Sequence, residues 1–231
     1  QTIFVQKFLM GGGLEYKYLK INSPTLANED NIIDKSSYLS AFAYLKYDSL
    51  DEKYYPSSGM YFSTDLQTYM ASSDYTNTFK PFSIAKAEAS YVSTLFKKAT
   101  FKIDADAGFT FGNSSVPFFD FILGGYGYSK INNFNYFYGY DFLSIAGNSY
   151  IKTGITLDYE ILRKNHINLS ANFANLGNDI FSGVDWISMP KYTGYAIGYG
   201  LETIIGPIEI KQSYSPEMSK SFTWFSIGFI F

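Results

Sequence analysis

The sequence predicts an all-β fold, an antiparallel transmembrane β-barrel, and three observations carry that prediction. The first is composition: 22 Tyr and 22 Phe stand among 231 residues, beside 2 Trp, no Cys and 17% charged residues. The second is a period of two, apolar residues on one parity and polar or small ones on the other, which is the alternation of strands and not of helices. The third is the spacing of the breaks, in which tight connections alternate with long ones, as in barrels with short turns on one rim and long loops on the other. The mean hydropathy is −0.08, and no apolar run approaches the ~20 residues of a membrane helix. Neither fact excludes a barrel, whose lipid-facing and lumen-facing residues cancel in the average.

The elements follow in order. The chain opens on Gln1-Thr2-Ile3-Phe4-Val5, which lacks the pattern of a leader peptide and reads as a mature product or a fragment starting within a strand. Weak alternation marks strands near 7–20, 37–48, 59–71 and 81–95. In the second of these Phe42 and Tyr44 fall on the wrong parity, which leaves its register open. Near 99–111 Phe101, Ile103, Ala105, Ala107, Phe109 and Phe111 oppose Lys102, Asp104, Asp106, Gly108 and Thr110. Near 149–161 Ile151, Thr153, Ile155, Leu157, Tyr159 and Ile161 oppose Lys152, Gly154, Asp158 and Glu160. Further alternating strands lie at 166–175, 192–204 and 206–214, and the last at 222–231 places Phe225, Ile227, Phe229 and Phe231 on one face. About ten strands of about ten residues suit a tilted bilayer crossing. Tight connections are expected near Leu50–Ser58, Leu95–Lys98, Leu162–Asn165 and Ile205–Pro207. Long ones are expected near Asn22–Ser36, Ala71–Pro81, Asn113–Asn148 and Asn175–Lys191. A soluble sandwich would also alternate, but its polar face meets bulk water and favours Lys, Glu and Asp. Here that face mixes charge with Gly, Ala, Ser and Asn, as a crowded lumen does, and the apolar face carries Phe and Tyr toward its ends, as interfacial girdles require.

Several motifs then occur in a characteristic order. Tyr54-Tyr55-Pro56-Ser57-Ser58-Gly59 precedes a strand, and the long loop after Phe111 carries Gly124-Gly125 and then Phe137-Tyr138-Gly139-Tyr140-Asp141. Ile205-Gly206-Pro207 and a C-terminal aromatic, Phe231, follow. This ordered set, from about residue 37 onward, resembles the bacterial surface antigen superfamily, outer-membrane barrels whose best-known members insert other barrels. The resemblance implies a sixteen-stranded barrel of which this chain supplies the C-terminal part, residues 1–231 forming one barrel domain with an inward loop at 113–148. It also implies residence in the outer membrane of a Gram-negative bacterium. A lumen loop motif is implied at Gly124, Gly125, Tyr138, Gly139, Tyr140 and Asp141, and an assembly signal at Phe225, Ile227, Phe229 and Phe231. The implied partners are the lipid bilayer, the assembly machinery meeting the last strand, and either the remaining barrel strands or a second chain. Tyr138 stands where the insertases carry an Arg, and a phenol cannot form that bidentate clamp. The glycine and aromatic pattern is more similar to barrels that follow a patatin-like phospholipase domain.

No catalytic set is legible. A patatin hydrolase needs a Gly-x-Ser-x-Gly elbow, and none occurs in these residues. The single His, His166, is expected in a tight turn, solvated or interfacial. Asp104, Asp106, Asp158 and Glu160 share a face, and the expectation is lumen charge balanced by Lys102 and Lys152 in preference to a carboxylate pair or cation site. Asn28, Asp30, Asn178 and Asp179 lack calcium-loop spacing. Absent Cys removes thiolate metal sites, no cofactor is implied, and a net charge of −3 argues against nucleic acid. Two function classes stay open: a barrel that anchors or exports an enzyme domain outside this chain, and a polypeptide insertase. A ten-stranded pore is weaker, because loop 113–148 would fill it.

Overall fold

The computed structural model describes residues 2–5, 7–22, 32–73, 79–112, 119–126 and 133–228. Eleven strands form one continuous sheet, with every neighbouring pair antiparallel. In sheet order they are β1 (Thr2–Val5), β2 (Phe8–Asn22), β3 (Ile32–Asp48), β4 (Gly59–Ser72), β5 (Phe82–Phe96) and β6 (Ala99–Phe111). β10 (Ser149–Leu162), β11 (Asn165–Gly177), β12 (Tyr192–Thr203), β13 (Gly206–Ser215) and β14 (Lys220–Ile227) continue it. Between β6 and β10 a small second sheet forms from β7 (Phe121–Leu123), β8 (Phe134–Asn135) and β9 (Ile145–Gly147). Regular helix among the described residues is limited to short 3-10 turns, at Phe119, Ile180–Ser182 and Asp185–Ile187.

The two faces are sorted opposite to a soluble protein. Ile103, Ile155, Leu157, Leu169, Ile197, Tyr199, Ile210 and Phe225 are exposed, while Asp106, Lys152, Asn168, Asn172, Lys211 and Ser213 are buried. An exposed face of that apolarity is the wall that lipid solvates, and the polar face is the inner one. The parity expected for β6 and for β10 to β14 is the parity observed. Phe229 and Phe231 lie outside the described residues.

The difficulty in β3 has a steric origin. Phe42 and Tyr44 do face inward, and the register sets them opposite Gly13 and Gly11 of β2. A Cβ at Gly11 would lie 2.6 Å from Tyr44 Oη, and one at Gly13 would lie 3.1 Å from Phe42 Cζ. The rings occupy the room the glycines leave, nearly parallel at 8°, so the inner face of this half is filled by aromatics where hydropathy alone anticipates polar residues.

The short connections 97–98, 163–164 and 204–205 share one rim with the longer 49–58 turn, and 112–148 and 178–191 lie on the other. That second rim also has a four-residue turn at 216–219, shorter than the long-loop pattern anticipates. Among the described residues β14 pairs with β13 alone, and β2 pairs with β3 along its length but with β1 only at Phe8–Met10. The strand-like start expected at Gln1–Val5 is β1, a short neighbour of the expected first strand.

Candidate functional site

The inner face is occupied by the segment between β6 and β10. Phe121, Leu123, Phe137 and Tyr140 are almost wholly buried, packed with Tyr150, Ala174 and Leu176 of the wall and with Tyr38, Tyr69, Phe82 and Ile84 farther along it. Residues 113–118 and 127–132 of this segment lie outside the described residues.

Two wall lysines meet the segment. Lys211 of β13 donates from Nζ to Tyr126 Oη (3.0 Å) and Tyr138 Oη (3.3 Å). The same ammonium lies 4.3 Å from the Tyr126 ring centroid and 5.2 Å from that of Tyr138. Lys152 of β10, its side chain fully buried, pairs with Asp106 of β6 at 2.7 Å and lies 4.2 Å from the Tyr136 ring centroid. A desolvated cation over an aromatic face contributes about 2 kcal/mol or more, so the cations sit on the wall and the π faces on the segment.

The backbone approaches as closely as the side chains. Gly139 has φ +77°, and a Cβ there would lie 2.5 Å from Ser215 N and from Tyr214 C. Gly194 of β12 faces the Tyr138 carbonyl with no room for a Cβ. In the amide orientation that satisfies both ends, Asn172 donates to Gly194 O (3.1 Å) and accepts from Tyr138 N (3.2 Å). Gly124 and Gly125 also have positive φ, and Gly125 forms an antiparallel bridge with Phe137 that brings the two ends of the motif together. Tyr140 donates to Glu217 Oε2 at 3.3 Å, whereas Asp141 is exposed and accepts from Phe142 N.

From the opposite rim the 49–58 turn also folds inward. Tyr55 donates to Glu209 Oε1 (2.8 Å), whose second oxygen accepts from Tyr126 (2.7 Å). Burial, then the Glu209 charge, raises the Tyr55 hydroxyl far above its ordinary value, so it remains a neutral donor. The Tyr55 ring stacks on His166 at 4.0 Å. His166 lies within β11, buried, with Nδ1 2.7 Å from Asp158 Oδ2 and Nε2 2.9 Å from Glu202 Oε1. The expected solvated turn histidine is thus a clamped inner-face residue, and both ring nitrogens are occupied by carboxylates.

Between the two inward segments lies a cavity of about 220 Å³ bordered by Tyr55, Tyr138, Asp104, Asp158, Asn168 and Lys211. Among the described residues Asp158 Oδ1 and Asn168 Oδ1 have no protein partner, and a polar cavity of this size accommodates water on such acceptors. Lys102 approaches Asp104 at 3.6 Å, so Lys102 and Lys152 balance Asp104 and Asp106, while Asp158 is engaged by His166 instead. Glu209, Lys211, Tyr55 and Tyr126 carry much of this arrangement and are not among the site residues expected from sequence; Tyr55 lies in the Tyr54–Gly59 motif, and Glu209 and Lys211 have inward parity, but neither signal shows that they meet.

A sheet apolar outside and polar inside, with its inner face filled by a long loop, defines the wall of an outer-membrane β-barrel. The family comparison makes this specific: residues 1–231 match the model described as the OMP85 superfamily, and the chain belongs to that superfamily. Among solved structures it is similar to BamA from Haemophilus ducreyi lacking POTRA domains 1-3, with a TM-score of 0.68 and 14% identity over 97% of this chain and 52% of that one. The chain thus spans about half the length of that structure, whose barrel it matches in part. No curated protein matches the chain.

Proposed function

We propose that this chain is the wall of an outer-membrane barrel that anchors or exports a domain lying outside these residues, and that the attached domain is a patatin-like lipid acyl hydrolase. The observation that supports anchoring is the filled inner face: Tyr126, Tyr136 and Tyr138 stand against Lys211 and Lys152 where an open conduit would leave water-lined space. The patatin identity rests on the glycine and aromatic motif pattern. The test is to purify the whole protein to which this chain belongs, assay hydrolysis of phospholipid acyl esters, and record conductance in planar bilayers. Hydrolysis that follows the attached domain, with no stable open pore, is the expected result. POTRA repeats in that position, or no ester hydrolysis, overturns the patatin assignment.

A polypeptide insertase is the second reading, favoured by the likeness to the BamA fold. Accelerated insertion of an unfolded barrel into vesicles by the purified protein supports it. We also propose that Phe225 and Ile227, exposed on one face of β14, belong with Phe229 and Phe231 to an assembly signal read by strand addition. Deletion of Phe231 then lowers outer-membrane insertion, and unchanged insertion refutes the signal.

A further inference from the structure

The connection from β11 to β12, residues 178–191, does not project away from the sheet. Its start is tied to the rim: Asn148 and Asp179 exchange hydrogen bonds of 3.1 and 2.8 Å, and Ile180 N donates to Ser149 Oγ at 3.0 Å. From there the chain turns onto the outer, apolar face. The Phe181 ring lies 5.4 Å from Phe109, which alternation places outward on β6, and 6.1 Å from Trp186. Trp186, Ser188 and Pro190 line a shallow groove with Ile151, Thr153 and Phe173, outward residues of β10 and β11. Asn175, paired with Ile151 in register, is covered by this segment; it donates to Ser188 O (3.2 Å) and accepts from Lys191 N (2.8 Å).

The segment satisfies much of its own polarity. Two 3-10 turns, Ile180–Ser182 and Asp185–Ile187, use Ser182 N to Asp179 O and Ile187 N to Val184 O, and the Ser182 and Ser188 hydroxyls cap neighbouring carbonyls. What it then presents outward is apolar: Val184 is 71% exposed, Ile187 63% and Met189 87%. Irregular backbone at membrane depth is costly unless its polar groups are paired, and Trp at the interface is the usual anchor.

We infer that residues 181–190 form a lipid-binding collar at the long-loop rim, seating Trp186, Ile187 and Met189 among the acyl chains of that leaflet. The occupant is bilayer lipid because the groove is continuous with the lipid-facing wall of an OMP85 barrel. Asp185 and Lys191, 3.9 Å apart and exposed, mark the headgroup side.

The chain has no Cys, so a nitroxide label can be placed at Met189→Cys in the whole protein, with any cysteine elsewhere in it replaced. After reconstitution in phosphatidylcholine–phosphatidylglycerol vesicles, power-saturation EPR compares collisions with oxygen and with aqueous nickel chelate. Ile197→Cys at mid-strand is the lipid reference and Ser219→Cys, in the 216–219 turn, the aqueous one. The expected result is oxygen-dominated relaxation at Met189, as at Ile197. Nickel-dominated relaxation at Met189 with a lipid-like Ile197 overturns the collar, and an aqueous Ile197 overturns it together with the membrane wall. If Met189→Cys fails to fold, Ile187→Cys carries the same two outcomes.

Discussion

Replacing Gly139 by Val tests whether the inward segment is held by backbone fit. The residue has φ +77°, a region that costs an L-residue about 1–2 kcal/mol and a β-branched one more. Its Cβ would also meet Ser215 N and Tyr214 C at 2.5 Å. Both atoms belong to a sheet strand and cannot swing aside, so an overpacking cost of about 1–3 kcal/mol adds to the strain. The sum, about 2–5 kcal/mol, shifts the docked–undocked equilibrium by roughly 30- to several-thousand-fold. Chymotrypsin reads the outcome, because Phe137, Tyr138 and Tyr140 are buried when docked and become cleavable on release. Planar-bilayer conductance reads it independently, since a vacated inner face conducts. Gly139→Ala lies between wild type and Val. Gly183→Val, where a Cβ would meet nothing within 4 Å among the described residues, is the neutral control. Wild-type protease protection and conductance in Gly139→Val would refute the docking argument.

Lys152→Met removes the ammonium that pairs with the buried Asp106 carboxylate at 2.7 Å, costs about 3–5 kcal/mol and lowers the temperature at which the barrel loses heat-modifiable gel mobility; Lys152→Met with Asp106→Leu recovers most of the loss. Gly200→Ala places a methyl against the Tyr55 hydroxyl, which is free to swing. The expected outcome is loss of the Glu209 bond and the His166 stack, about 1–2 kcal/mol, seen as faster tryptic cleavage after Lys53. In the 49–58 turn, burial alone would raise the Asp51 carboxyl, but hydrogen bonds from Ser57, Ser58 and Glu52 outweigh it and lower the pKa below 3.8. Its contribution is therefore present above pH 3.8 and lost as pH falls through the lower folded value. Hydrogen exchange at the Ser57 and Ser58 amides accelerates over that window, and Asp51→Asn abolishes the pH dependence. At the other rim burial alone would raise the Glu217 carboxyl, but hydrogen bonds from Thr193 and Ser215 together outweigh it and lower the pKa below 4.5, so the turn at 216–219 loosens as pH falls through that lowered value.

How much of this was legible depended on what each strand places inside. In β6 and β10 to β13 the inner residues are Lys, Asp, Asn, Ser and Gly against outer Ile, Leu, Phe and Tyr, so period two was plain. In β2 to β5 the inner face takes Tyr38, Phe42, Tyr44, Tyr69 and Phe82, while β5 turns Ala85, Ala87 and Ala89 outward, and hydropathy no longer separates the faces. His166 was misplaced because Arg163-Lys164-Asn165-His166 is uniformly polar. The turn consumes only Arg163 and Lys164, the latter at φ +66°, and strand register then carries His166 inward. The wall lysines were visible as inward charges, but their partners lie 73 to 85 positions away from Lys211, beyond any local pattern.

The rings over Gly11 and Gly13 work as a toothed key in a slotted strip. Sliding β2 against β3 by two residues would keep every side chain on its proper face, so hydropathy offers no objection. Shape does object: with Gly13 opposite Phe42 and Gly11 opposite Tyr44, a slide one way drives Phe42 over Glu15 and a slide the other way drives Tyr44 over Leu9. The seam whose alternation is weakest is therefore threaded by sterics. Filling either slot should yield barrels assembled out of step, with a mismatched rim, in preference to barrels correctly assembled but softer.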